Sequence, residues 1–282
     1  MSNNNIVLNR LFTQQVFRTL VEKNTNSVYK TIISEYIKSN TQKNNISIIS
    51  EIYKYMHKYY RNEYIYINTM FNKWLLGKHS LNTTTALTQI PVGKSKADFI
   101  LINGKAVVYE IKTELDTLNR LDGQIKDYYK AFKYVSIVSC KENYEKIYKL
   151  YGNTSIGIYI FNKSGTISEK KKPVINNKFL DYKTIFYILN KNEYEDILLD
   201  YYGEKPKVSN IFYYETCFNW IKEIPMDILY KNFIIQLKKR NKTSKVFLDT
   251  IPYELKSLIY FSKWSMKEQK KIEVFFNNIY GG

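Results

Sequence analysis

Asp98, Glu110 and Lys112 are the residues of this 282-residue chain whose types and spacing suit metal-assisted hydrolysis. Glu110 and Lys112 are two apart, so on an extended strand their side chains point to one face. They follow the apolar run 106–109, and Asp98 precedes the apolar run 99–102. An unpaired buried carboxylate is costly. Two carboxylates and an ammonium at the ends of two apolar strands therefore point to a divalent cation with a lysine beside it. Hard oxygen donors suit Mg²⁺ or Mn²⁺, which keep waters and let a phosphate complete their shell. Such an ion lowers the pKa of bound water and neutralises charge on a scissile phosphate. Lys112, a point charge, would orient the attacking water or stabilise developing charge. The plainer alternative is a surface hairpin with a cross-strand salt bridge.

The elements that must position these groups begin with Asn103-Gly104, a strong hairpin signal between the two apolar runs. A strict two-residue turn would set Asp98 opposite Tyr109, on the wrong face. A three-residue loop of Ile102, Asn103 and Gly104 with a glycine bulge pairs Asp98 with Val108, one diagonal step from Glu110. The bulged register, or an equivalent bend near Asp98, is the one a shared metal requires. After the hairpin, Leu118, Leu121, Ile125, Tyr128, Tyr129 and Phe132 form a helical stripe. Glu114 and Asp116 stand where a helix N-terminus favours negative charge. Residues 134–140 predict a strand buried on both faces, residues 142–150 a helix, and residues 155–161 another strand. Residues 87–91 suit a short edge strand.

Upstream, apolar spacing predicts helices over 6–40, broken by the polar residues 24–27, and again after the polar break 40–45. A further helix opens at Arg61-Asn62-Glu63-Tyr64 and ends at Gly77. The basic residues 163–173 form either a long loop or a hairpin with a strand resuming at Val174. Beyond them, residues 181–203, 210–222, 225–240 and 252–280 carry helical spacing, divided by Gly203, Pro206, Pro225 and Pro252. This order predicts an α/β chain with a central mixed sheet. Its expected parts are an N-terminal helical segment (1–45), a core (46–165) and a helical C-terminal region (166–282).

The net charge of +17 favours a polyanionic partner, nucleic acid first. Arginine occurs only at Arg10, Arg18, Arg61, Arg120 and Arg240, so the basicity is nearly all lysine. With abundant Asn, Ile and Tyr, that composition equally fits an A/T-rich coding bias and a solvated lysine surface. Cys140 and Cys217 fit no metal-ligand spacing, and His57 and His79 are isolated, so zinc is not expected. The polar residues 1–5 lack the apolar core of a signal peptide. No stretch reaches the ~20 apolar residues of a membrane span, so a cytoplasmic protein is expected.

Asp98 followed by Glu110-Ile111-Lys112 in an α-β-β-α-β setting resembles the PD-(D/E)XK nuclease superfamily. The proline of that name is replaced by Ala97, a position that varies among its members. Gln124-Ile125-Lys126-Asp127-Tyr128 is similar to the Q-x-x-x-Y motif of RecB-type and lambda-exonuclease-type enzymes, and Gln124 and Tyr128 lie one turn apart. The string from Tyr109 through Asp116-Thr117-Leu118-Asn119-Arg120-Leu121 to Gln124 is similar to a little-characterised bacterial family of nuclease-like proteins, over about residues 60–240. The resemblance implies a restriction-endonuclease-like αβββαβ core with added N- and C-terminal helical segments. It implies that Asp98, Glu110 and the Ile111 carbonyl hold the metal, that Lys112 positions or activates water, and that Glu63 and Gln124 assist.

Each role has a structural counterpart. Glu63 is equally well a helix-terminal surface acid, and Arg120 an ion-pair partner of Asp116. Tyr128 is either a substrate contact or a core tyrosine, and Gln124 also suits a structural hydrogen bond. Lys94 and Lys96, beside the metal, would hold the nucleic-acid backbone. The clusters 170–172 and 238–242 would extend that track. The expected activity is a Mg²⁺- or Mn²⁺-dependent nuclease, on DNA ahead of RNA, in phage defence or a mobile element. A non-catalytic nucleic-acid-binding or complex-docking protein with the same fold is the alternative. A protein partner or a second copy would use the outer helices.

Overall fold

The computed structural model describes residues 5–37, 42–240 and 243–280. Residues 1–4, Asn40 and Thr41 of the polar break, and Asn241 and Lys242 of the second basic cluster lie outside the described residues. Among those described, six strands form one mixed sheet in the order β1-β2-β3-β4-β5-β6. They are β1 (Thr85–Val92), β2 (Ser95–Asn103), β3 (Lys105–Lys112), β4 (Tyr134–Cys140), β5 (Gly157–Phe161) and β6 (Ile167–Lys171). β1, β2 and β3 run antiparallel in turn, β3–β4 and β4–β5 are parallel, and β6 returns antiparallel to β5. The expected mixed sheet is therefore present. The basic segment 163–173 is a hairpin arm, with its strand at 167–171 rather than resuming at Val174.

The helices α1 (Ile6–Leu11), α2 (Gln14–Lys23), α3 (Ser27–Tyr36), α4 (Asn45–Tyr59) and α5 (Glu63–Met70) precede the sheet. α5 runs on as a π-helical stretch, Phe71–Leu76. α6 (Leu121–Tyr129) and α7 (Tyr144–Tyr151) form the crossovers between parallel strands. α8 (Tyr182–Ile188), α9 (Lys191–Tyr202), α10 (Asn210–Glu223), α11 (Met226–Lys238), α12 (Lys245–Thr250), α13 (Lys256–Tyr260) and α14 (Met266–Asn277) follow.

Strand parity divides the core in two. Phe99, Leu101, Val107, Tyr109 and Ile111 face a layer built from α1–α5 and α12–α14. Ile100, Ile102, Ala106 and Val108 face the other layer, where α6 and α8–α11 pack. The two ends of the chain thus share one layer, and the Asn45 amide donates to the Phe275 carbonyl there (2.9 Å). Burial of both faces explains why β3 and β4 are nearly continuous apolar runs. No helix among the described residues is long and apolar enough to cross a membrane.

Candidate active site

β2 and β3 meet at Gly104, whose φ of 66° lets the chain reverse between the paired Asn103 and Lys105. Ile102 pairs with Ala106, Ile100 with Val108 and Phe99 with Tyr109. The bulged loop that would pair Asp98 with Val108 does not form. The observed register is shifted two residues from it, and one further step would bring Asp98 opposite Glu110. Parity is what matters: Asp98, Glu110 and Lys112 share the phase of Ile100 and Val108, towards α6. The ladder stops at Phe99 because Asp98 Oδ2 accepts the Ile111 N–H (2.8 Å). On the other side of Asp98, Gln89 has a left-handed φ of 54° and drops out of the β1–β2 ladder. Its amide donates to Glu63 Oε1 (3.0 Å), at the start of α5.

α6 supplies the second layer of the site. Lys112 Nζ lies 2.8 Å from Glu110 Oε1 and donates to Gln124 Oε1 at 2.8 Å. Tyr128 Oη lies 2.5 Å from Glu110 Oε2 and 2.7 Å from the Lys96 carbonyl, its one proton shared between the two acceptors. Glu110 and Lys112 are buried, with 1% and 5% of their surface exposed. Tyr128 is fully buried. It does not line the cleft, and its hydroxyl is taken up by Glu110 and the Lys96 carbonyl, an arrangement in keeping with the core-tyrosine reading. Tyr128→Phe is expected to cost about 1–3 kcal/mol in urea unfolding, since two buried acceptors lose their donor.

α6 also steadies the cleft. Asp127 Oδ2 accepts the Lys94 N–H (3.1 Å) and the Ser95 hydroxyl (2.8 Å), fixing the β1–β2 turn. Gly93 in that turn has φ 61°, and a Cβ there would lie 2.8 Å from Asp127 Oδ1. The helix is shorter than its stripe. Leu118 lies before its first turn, and Asp116 instead accepts the Thr113 N–H and hydroxyl (2.8 Å each). Arg120 forms no ion pair with Asp116 among the described residues and is exposed in the cleft.

The charges at this end of β2 and β3 do not balance. Burial, then the charges of Glu110 and Glu63, hold the Asp98 carboxyl well above the usual carboxylate range. Reduced solvation, then Asp116 and Glu110, raise the Glu63 carboxyl. Three carboxylates thus converge on one ammonium. Asp98 Oδ1 has no hydrogen-bond partner among the described residues, and each Glu110 oxygen keeps a second lone pair. This all-oxygen set with an excess of negative charge fits Mg²⁺ or Mn²⁺. The Ile111 carbonyl lies on the same strand between Glu110 and Lys112, with its N–H already taken by Asp98.

Asp98 and Gln124 open into a cleft of about 1230 Å³, joined by Glu63, Lys94, Lys96 and Arg120. Six of the residues singled out from sequence therefore meet in one concavity, with Glu110, Lys112 and Tyr128 behind them. The far wall comes from α8, through Lys183, Thr184 and Tyr187. Neither that wall nor Gln89 was anticipated, because nothing local marks a residue in an apolar helix or an edge strand as belonging to a cleft. Among the described residues, neither basic cluster lines this cleft. Lys171, on the far edge strand β6, donates to the Tyr151 carbonyl (3.0 Å). Arg240 clamps Glu193 and the Ile188 carbonyl (2.6 Å each). A separate trio, Glu114, Cys140 and Glu142, brings its ligand atoms within 4.8 Å of one another, so Cys140 has acidic neighbours that its spacing concealed. Arg61 is ion-paired with Glu114 there.

The fold and site define a mixed α/β chain with an acid–lysine centre opening on a basic cleft. The chain belongs to the family described as Bacteriophage P4 protein cII, which matches residues 56–259. Protein cII of Enterobacteria phage P4 is 28% identical over 134 residues, 46% of this chain. The match spans half of that relative's length. No solved structure matches the chain. The name of the relative states no chemistry, and the reading of the site rests on geometry.

Proposed function

We propose that this chain is a Mg²⁺- or Mn²⁺-dependent nuclease with a restriction-endonuclease-like αβββαβ core, hydrolysing phosphodiester bonds in nucleic acid, DNA ahead of RNA. One observation carries the reading. Asp98, Glu110, Lys112 and Gln124 converge where a cleft bears Lys94, Lys96 and Arg120, none of them ion-paired among the described residues. Unpaired cations beside a carboxylate cluster suit a phosphate backbone approaching a metal centre.

In this reading Asp98, Glu110 and the Ile111 carbonyl hold the metal. The bound ion would supply Lewis acidity and a water of lowered pKa. Lys112 holds its charge beside the reacting phosphate, and Gln124 fixes that ammonium from α6. Tyr128 keeps Glu110 aimed, and Gln89 keeps Glu63 at the rim. Kinship with a phage protein is in keeping with work in a mobile element or in defence against one.

A second reading has its own support. The Glu110–Lys112–Gln124–Tyr128 network is closed without an ion, as in a nucleic-acid-binding protein that keeps the fold but does not cut. The test is cleavage of linear, circular and single-stranded DNA and of RNA in Mg²⁺ or Mn²⁺, with Asp98→Ala as the control. Metal-dependent cleavage by the wild type and none by the variant, with binding kept, supports the nuclease. Binding without cleavage in either metal gives the second reading. Loss of both leaves the basic composition as coding bias.

A further inference from the structure

The far wall of the cleft does nothing for the metal centre, yet it is firmly built. The Asp181 carboxylate caps α8 through the Thr184 N–H (2.8 Å) and hydroxyl (2.6 Å). The Asp181 N–H donates to the Lys130 carbonyl (2.8 Å), tying the start of α8 to the end of α6. Ile185, Phe186 and Ile188 anchor the helix in the core. Lys183 and Tyr187, four apart and so on one helix face, are left on the cleft side. Tyr187 is 59% exposed, and Lys183 Nζ lies 5.6 Å from its ring centroid.

We propose that Tyr187 is a stacking platform for an unpaired base of a single-stranded nucleic acid, with Lys183 holding the neighbouring phosphate. This rests on the cleft being the nucleic-acid site, not on its cutting. An exposed aromatic ring on an anchored helix, with the Lys183 ammonium over one face and Lys94, Lys96 and Arg120 in the same cleft, is a combination that binds single strands: the cations follow the backbone and the open ring face takes a base. In a duplex those faces are already stacked. The strand entering this cleft is therefore single-stranded, or frayed next to the scissile phosphate.

The test is fluorescence anisotropy of the full chain with a labelled oligothymidylate and with a blunt duplex of equal length, in Ca²⁺ to hold back cleavage. Tyr187→Ala is expected to weaken single-strand binding roughly ten-fold, within the usual worth of one stacked base. Duplex binding is expected to stay nearly unchanged. Tyr187→Phe, which keeps the ring, is expected to bind as wild type. So is Tyr59→Ala, which removes an exposed tyrosine of α4 outside this cleft. A fluorescent adenine analogue in the strand is expected to be quenched by the wild type and not by Tyr187→Ala. Equal single-strand affinity in Tyr187→Ala, or an equal loss on both substrates, overturns the stacking role. The nuclease reading survives that result if metal-dependent cleavage persists. No binding of either substrate by the wild type overturns the stacking role and the cleft assignment together.

Discussion

Lys112→Met is expected to lose metal-dependent cleavage by about a hundred-fold or more and to lower thermal stability, and replacing Glu110 as well is expected to restore only the stability. Lys112 Nζ sits 2.8 Å from Glu110 Oε1 and from Gln124 Oε1, in a site that leaves 5% of the lysine exposed. Removing the ammonium strands a carboxylate that is 1% exposed. Breaking a buried pair from one side costs roughly 3–5 kcal/mol, whereas replacing both partners by neutral groups is often close to neutral. Glu110→Gln with Lys112→Met should therefore unfold near the wild-type midpoint in metal-free buffer. On the proposed nuclease reading, cleavage is not expected to recover in the double variant, since that reading takes a metal oxygen from Glu110 and the positive charge at the phosphate from Lys112. Loss of one preorganised electrostatic group costs about 10²–10³ in rate. Wild-type cleavage by Lys112→Met would leave the lysine only a packing role. Equal instability of the single and double variants would mean that Lys112 and Glu110 are not coupled in the folded chain.

Where local chemistry decides, the site could be read in advance. The two-residue period puts Glu110 and Lys112 together on any strand, and the four-residue interval puts Gln124 and Tyr128 on one helical side. β4 has the residues its Val- and Ile-rich composition marks out, Tyr134–Cys140. The hairpin register was less accessible. Asn103-Gly104 is compatible with several loop lengths, and the choice fell to Gly104 at φ 66° and to the Asp98 carboxylate, which takes the Ile111 N–H instead of continuing the ladder. β6 was ambiguous for another reason: as a polar edge strand, Ile167–Lys171 buries too little to show alternation.

Packing decides what spacing leaves open. Arginine is scarce, but scarcity does not distinguish a clamp from a ligand. Arg18, Arg61 and Arg240 are held in ion pairs within the fold, while Arg120 stands exposed in the cleft. Tyr128 shows the same limit, since its depth is set by how α6 lies on β2 and β3. The contribution of α8 to the cleft depends on a helix more than 50 residues beyond α6 folding back beside it. That return is a long-range outcome with no local signature.

Asp98→Asn tests the charge imbalance from the opposite direction. In chelator, the variant is expected to be more stable than wild type at neutral pH, by about 1 kcal/mol or more, because one of three converging negative charges is removed. The amide oxygen can still accept the Ile111 N–H, so the strand ends need not move. The pH dependence fixes the sign. Burial and the charges of Glu110 and Glu63 raise the Asp98 carboxyl in the folded chain, so the native state holds its proton more tightly than the unfolded state does. The stability linked to that proton is fully present below the ordinary carboxylate range, near ~3.9, and is lost as pH rises through the raised value. Glu63 shifts in the same direction and adds to the slope. Asp127, Glu142 and Glu195, whose carboxyls are lowered, act oppositely in both proteins, so the readout is the difference: without metal, Asp98→Asn is expected to gain on wild type as pH rises from acid to neutral. If Asp98 holds the ion as proposed, added Mg²⁺ or Mn²⁺ is expected to reverse the ranking, since an ion bound only by the native state stabilises it in proportion to occupancy and Asp98→Asn offers no charged ligand for it. Thermal unfolding over a pH series, with chelator and with metal, reads both effects. A variant less stable than wild type in chelator, with an undiminished response to metal, would show that Asp98 neither repels its neighbours nor holds the ion.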